Sequence, residues 1–309
     1  MTMTDHVKGY VAGKKALGLS FRDGERMLMR YAELADARGD RFVRADSVLD
    51  WARTATSVGQ ARRRLHIVRG MAVVLHVGDD RHEVPHREAL GRPRRRRPTP
   101  RIPSPEEIRK IMKEALSLAP AGSLTPLTFH YVIGLMACTG LRRSEATGLL
   151  LEDLGPDGLL VRNAKNGRDR LVPLHETARR ALEHYLVARK RQGGSCEHLF
   201  VLASGRPVRP AYLTQIFIVL ARKAGVRGGL GEPGPRLHDL RHGFAVAALE
   251  GSLSPSRRDV GRHMLALSTT LGHTGVKHTY WYLEATPVLM RQVSEAAEKL
   301  HMTTEKETT

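Results

Sequence analysis

Hydrophobic positions recur at helical spacing along most of this chain. In "SFRDGERMLMRYAELADARG", Met27, Tyr31 and Leu34 fall on one stripe, and Gly39 is a natural stop. "SVLDWARTATSVGQARRRLHIVRGMAVVLHV" predicts two more helices, the second carrying Arg62, Arg63 and Arg64 near its start. Residues 1–90 therefore read as mostly helical. Further on, Ser104-Pro105-Glu106-Glu107 has the form of a capping box with proline in the first turn. Thr125-Pro126 predicts the start of an apolar helix, "PLTFHYVIGLMACTG", that stops at Gly140. The period then changes. In "LLVRNAKNGRDRLVPL" two short apolar runs flank Asn166-Gly167, the pattern of a β-hairpin. Helices are expected at 175–191 and 210–224, another from near His238, and one or more over 256–300. No internal repeat is visible. The fold class expected is mainly α with a small antiparallel β-sheet.

Composition adds a partner. The formal net charge is +18, with 50 Lys+Arg against 32 Asp+Glu. Such an excess says little about fold, but it favours a polyanion, and nucleic acid is the usual one. A basic protein kept soluble by its charge is the plainer alternative. Only two cysteines occur, Cys138 and Cys196, which gives no disulfide framework and no Cys-rich zinc site. No apolar run approaches a membrane span, and the N-terminus lacks a signal-peptide core. The expectation is a cytoplasmic, nucleoid-associated protein with no membrane partner. "GRPRRRRPTPRIPS" holds four prolines and six arginines, which oppose regular helix and repel one another. It reads as a linker whose Arg94, Arg95, Arg96 and Arg97 can meet backbone phosphates. The division expected is a helical domain over 1–90, a basic linker over 91–103, a second domain over 104–302 and a polar tail over 303–309.

Candidate chemistry concentrates in the second domain. In "LHDLRHGFA", His238 and Arg241 are three apart and share a helix face. Such a pair can grip a phosphate while a proton moves nearby, or it can be purely structural. In "ACTGLRRSEATGLLLEDL", Arg142 and Arg143 follow a Thr-Gly turn at the mouth of a helix, where potential is positive. Glu145 can pair with a neighbouring arginine, and ordinary capping explains the stretch equally well. Lys165 sits on the hairpin turn, where a lysine is usually solvated but can also reach into a groove as a proton donor. "LGHTGVKHTYWYLEATP" supplies His273 and two tyrosines, Tyr280 and Tyr282. On a helix, positions two apart point about 200° apart, so both tyrosines cannot face one site. Tyr280 has Val276 and Leu283 as neighbours, whereas Tyr282 has His278, Thr279 and Thr286. Tyr280 therefore reads as a packing residue and Tyr282 as the one facing polar groups.

Taken together, these stretches resemble the tyrosine recombinases, the phage-integrase family. "TGLRRSE" resembles that family's first arginine box, "KNGRDRLVPL" its lysine hairpin, and "HDLRH" its His-x-x-Arg box. "LGHTGVKHTYWY" resembles its final box, whose nucleophile lies nine residues after the Leu-Gly-His histidine, which selects Tyr282. The resemblance covers about residues 104–300. "STTLGHTGVKHTYWYLEATPVLM" further resembles the mobile-element "recombinase in trio" branch. Residues 1–90 match only by position, size and helicity, as a core-binding domain.

The resemblance implies a site-specific recombinase with an integrase-like catalytic domain, in a two-domain, C-shaped clamp round double-stranded DNA. Arg142 and Arg241 would clamp the scissile phosphate and His273 would donate to it. Tyr282 would attack phosphorus, Lys165 would protonate the leaving 5′-oxygen, and His238 would accept the tyrosine proton. No metal and no cofactor is implied. Arg62, Arg63, Arg64, Arg143 and the strap arginines are expected to contact DNA, with Glu145 and Asp239 orienting arginine or histidine. His242 and His278 read as local hydrogen-bonding residues. A homo-tetramer on DNA is implied, with a monomer possible in solution and accessory recombinases as possible partners. After Pro287, Leu289, Val293, Ala296, Ala297 and Leu300 form a helical stripe, expected to dock either on its own domain or on a neighbour. Alternatives are a non-catalytic DNA-binding regulator on the same fold, type IB topoisomerase activity, or a histidine-based metal hydrolase, which Arg241 between the histidines opposes.

Overall fold

A computed structural model describes residues 1–92, 100–162, 169–192, 194–229, 231–251 and 257–272, with side chains of the last segment described from 262. The chain divides into two compact units, Met1–Arg97 and Pro98–Thr309.

The first unit holds four helices: α1 (Met3–Ala16), α2 (Arg22–Ala37), α3 (Ala45–Arg53) and α4 (Val58–Gly78). Their inward faces join Val7, Leu28, Tyr31, Trp51, Leu65 and Met71 in one core. The sequence pattern located α2, α3 and α4, and Gly39 takes the left-handed conformation just past α2. α1 was not individually expected. Its apolar stripe is sparse, and it is fixed instead by a capping box between Thr2 and Asp5. Asp36 of α2 also accepts hydrogen bonds from the Met3 and Thr4 amides.

The second unit is built round α6 (Leu124–Thr139), whose Leu124, Phe129, Val132, Ile133, Leu135 and Met136 are buried. A helix apolar on most of its surface belongs inside a domain. α6 starts at Leu124, with Ser123 as its N-cap, rather than at Thr125-Pro126. Pro126 is thus in the first turn, where its missing N–H costs no intrahelical bond. Packed on α6 are α5 (Pro105–Ala115), α8 (Glu176–Gln192) and α10 (Leu237–Glu250), while α9 (Pro210–Lys223) packs on α5. α5 carries the expected capping box: Ser104 Oγ accepts from the Glu107 amide and Glu107 accepts from the Ser104 amide. α11 (Arg257–Leu271) lies on α10 through Val246, Leu249, Met264, Leu267 and Leu271.

The sheet is small and antiparallel, in the order β1 (Leu154–Gly155), β2 (Gly158–Val161) and β3 (Arg170–Val172). β2 and β3 pair in the register Leu159↔Val172, Leu160↔Leu171 and Val161↔Arg170, as the expected hairpin requires. The hairpin turn, with Lys165 and Asn166-Gly167, lies outside the described residues. β1 was not foreseen, because two residues show no alternation.

One glycine controls the approach to the site. Gly140 caps α6 at φ +65°, and a Cβ built there would lie 2.5 Å from Phe244 and 2.9 Å from Leu271. Gly140→Ala should lower stability by about 2 kcal/mol, from the left-handed backbone plus the crowding. Denaturant unfolding checks this: a midpoint unchanged from wild type would contradict it.

Candidate active site

Directly after Gly140 the chain buries Leu141 and starts α7 (Arg143–Gly148) with Arg142 at its N-cap. The Glu145 carboxylate accepts from the Arg142 amide at 2.9 Å, which satisfies an otherwise unpaired helix-end donor. Its other oxygen accepts from Arg142 Nη1 at 2.7 Å. The arginine is therefore held at both its backbone and its fork. Its side chain remains 23% exposed, against 6% for Glu145.

A second arginine occupies the far side of the same carboxylate. Arg170, the first residue of β3, donates from Nη2 to Oε2 at 2.7 Å and from Nη1 to Oε1 at 3.1 Å. Burial alone would raise the Glu145 pKa, but hydrogen bonds from Arg170 and Arg142 outweigh it and hold it at about 2.

Arg241 enters from α10. It is almost fully buried, and it donates from Nη1 to the Gly140 carbonyl at 2.8 Å and from Nη2 to the Leu271 carbonyl at 2.5 Å. Arg142 Nη2 donates to the Gly272 carbonyl at 3.1 Å, and Arg170 Nε donates to the Thr270 carbonyl at 2.8 Å. Three guanidiniums from three elements thus grip three consecutive carbonyls at the end of α11. This is the negative end of the helix dipole, where carbonyls lack intrahelical partners.

His238 is exposed on α10, one turn before Arg241, and its ring meets His242 edge to face at 4.7 Å. Loss of hydration on its protein side lowers the His238 pKa below the ordinary 6.5, and the Arg241 charge adds to this. Burial pushes His242 down further, to about 4, with His238 contributing. Both imidazoles are neutral at pH 7, so His238 can accept a proton there.

The structure brings together Arg142, Arg241 and His238 of the six residues expected to react. Lys165, His273 and Tyr282 lie outside the described residues, as do Tyr280, His278 and Arg94, Arg95, Arg96 and Arg97. Glu145 orients an arginine as expected. Asp239 does so for Arg236, accepting from its Nη2 at 2.9 Å and from its amide at 2.8 Å. Arg143 is exposed and donates to Thr214 of α9. In the first unit, Arg62 donates to the Leu90 and Arg92 carbonyls, and Arg64 to Trp51 and Thr54 while stacking over the Trp51 ring. Arg63 is exposed beside Asp23. Sequence reasoning passed over Arg170. Its signal was available in "RLV": Arg170 shares a strand face with Val172, which is buried, while Leu171 points outward. Among the described residues, no group of His, Cys, Asp or Glu is placed to hold a metal ion, and no helix is long and apolar enough to cross a membrane.

Comparison with known proteins adds to this geometry. Residues 103–287 match the phage integrase family. The chain belongs to that family. The family's tyrosine recombinases are DNA strand-transferring enzymes, and this chain is a site-specific recombinase among them. It is 31% identical to integrase/recombinase y4rB of Sinorhizobium fredii, over 96% of this chain and 98% of the relative. It is also 31% identical to tyrosine recombinase XerD of Mycobacterium tuberculosis, over 64% of this chain and 62% of that one. Its fold is similar to that of the Tn1549 transposon integrase in complex with transposon right-end DNA, with a TM-score of 0.65 at 17% identity over 96% and 99% of the two chains. Lambda integrase bound to DNA gives a TM-score of 0.61 at 17% identity, over 89% and 92%.

The Glu145 pKa sets an acid-stability window. Because it is depressed in the folded recombinase, the stabilisation is fully present above about pH 4.5, the unfolded value, and is lost as pH falls toward about 2. The gap corresponds to about 3 kcal/mol. Thermal melts at falling pH should show wild type losing stability through this window. Glu145→Gln should show a much flatter profile, and parallel profiles would contradict the assignment.

Proposed function

We propose that this recombinase cleaves and rejoins DNA strands through a 3′-phosphotyrosyl intermediate made by Tyr282. Arg142 and Arg241 neutralise charge that builds on the non-bridging oxygens in the transition state. His273 adds a hydrogen bond to the phosphate. His238 takes the phenol proton as the tyrosine oxygen bonds to phosphorus, and Lys165 gives a proton to the departing 5′-oxygen. A partner strand's 5′-hydroxyl reverses these steps. The phosphotyrosine conserves the energy of the broken phosphodiester, so rejoining needs no ATP. The carrying observation is that Arg142 and Arg241, 99 residues apart in sequence, donate to the carbonyls of Gly272 and Leu271, the two residues directly before His273.

Double-stranded DNA is the substrate in this reading, bound by both units, with the first unit and the Arg94–Arg97 strap as the second grip. Arg63 and Arg143, both exposed, are better placed to reach phosphates than Arg62 and Arg64, which hold other parts of the protein. Exchange between two duplexes calls for a tetramer on DNA, and the expected compartment is the cytoplasm.

The test is covalent capture on a nicked duplex, from which the cleaved strand end is lost, run with EDTA present. The wild type should form a covalent protein–DNA adduct. Tyr282→Phe should abolish it while leaving DNA binding nearly intact, and Tyr280→Phe should retain it. Binding without any adduct, or capture lost only in Tyr280→Phe, would overturn the assignment.

The pH profile offers a second check. Because the His238 pKa is lowered, the neutral acceptor persists below the ordinary 6.5. Capture should therefore fall to half its plateau only below pH 6.5. A midpoint above pH 6.5 would contradict the role of His238.

A further inference from the structure

Arg170 has no part in the chemistry above, yet it is the most heavily engaged arginine around Glu145. Its side chain is 8% exposed, too enclosed to meet DNA. The carboxylate of Glu145 offers about four lone-pair sites. All four accept a described donor: the Arg142 amide, Arg142 Nη1, and both terminal nitrogens of Arg170. Arg142 supplies two of these bonds, one from its backbone amide and one from a partly exposed side chain. Arg170 supplies the other two in the planar fork-to-fork geometry that fixes a carboxylate's orientation. Without that brace, the carboxylate could rotate about its terminal torsion, which is soft, and Arg142 would rotate with it. Arg170 also donates to the Thr270 carbonyl, so the brace is anchored to the same helix end that Arg142 and Arg241 grip.

We propose that Arg170 is a positioning residue for strand cleavage, which fixes the Arg142 guanidinium on the scissile phosphate by holding Glu145 from behind. This rests on the phosphotyrosyl reading above. The charge balance suits the role. Among the described residues here, Arg142 and Arg170 share the carboxylate of Glu145, while Asp239 is bound to Arg236. Arg170 therefore cancels the local charge of Glu145, and Arg142 keeps its attraction for an anion.

The experiment uses the full chain and a nicked duplex obtained from a random-sequence pool by covalent capture with wild type. It compares a normal scissile phosphate with a methylphosphonate there, which carries no charge and has one non-bridging oxygen fewer for an arginine to hold. Arg170→Lys keeps the charge but not the fork. It should slow capture on the phosphate by about 10²-fold, the usual scale for a lost transition-state donor. On the methylphosphonate it should match wild type, and its DNA affinity should be unchanged. Glu145→Gln should repeat this pattern, and the double variant should be no slower than the slower single one. Equal losses on both substrates would mark Arg170 as merely structural and overturn the proposal, as would normal capture by Arg170→Lys. If Arg170→Lys does not fold, Glu145→Gln is judged by the same two criteria. Wild type that captures no DNA would overturn the phosphotyrosyl reading itself, whereas wild-type capture with a failed Arg170 pattern overturns this inference alone.

Discussion

The catalytic unit depends on one carboxylate shared by two guanidiniums. Glu145 joins the start of α7 to the start of β3, elements between which the chain runs through β1 and β2. Isolated in a protein interior, a carboxylate or a guanidinium would cost several kcal/mol of lost hydration. Here each is saturated by the other, and the excess positive charge faces the exposed side of Arg142. Removing one member would strand the rest, so the cluster behaves as a unit.

The same cluster solves a helix-end problem. The final carbonyls of α11 have no intrahelical donors, and a buried unpaired carbonyl is costly. Arg170, Arg241 and Arg142 satisfy Thr270, Leu271 and Gly272 in turn. The arginines thereby fix where the last described helix stops. Structural and chemical roles coincide in these side chains, and the burial of Arg241 reflects both.

Much of this was legible in the sequence. Apolar periodicity located α2 to α6 and α8 to α10, and the change of period located the hairpin. Each of those elements carries its own local signal. The capping box of α5 and the left-handed Gly140 are likewise local, and the structure has both. What pattern reasoning missed was long-range. The basic run Arg62 to Arg64 read as one surface. A helix turns about 100° per residue, so its members have different tasks. Arg170 escaped notice because its partners lie 25 and 100 residues away.

Gly272 shows how far such packing reaches into a motif. It sits at φ +63°, and a Cβ there would lie 2.9 Å from Arg170 Nη1. The glycine of Leu-Gly-His therefore does more than let the chain turn. Its bare α-carbon is the surface against which a charged plane lies flat. Leu271 contributes a core side chain and the carbonyl that holds Arg241. Two thirds of a tripeptide known for its histidine are thus a cradle for arginine, and any side chain grown at its middle residue would tilt the guanidinium that rests there.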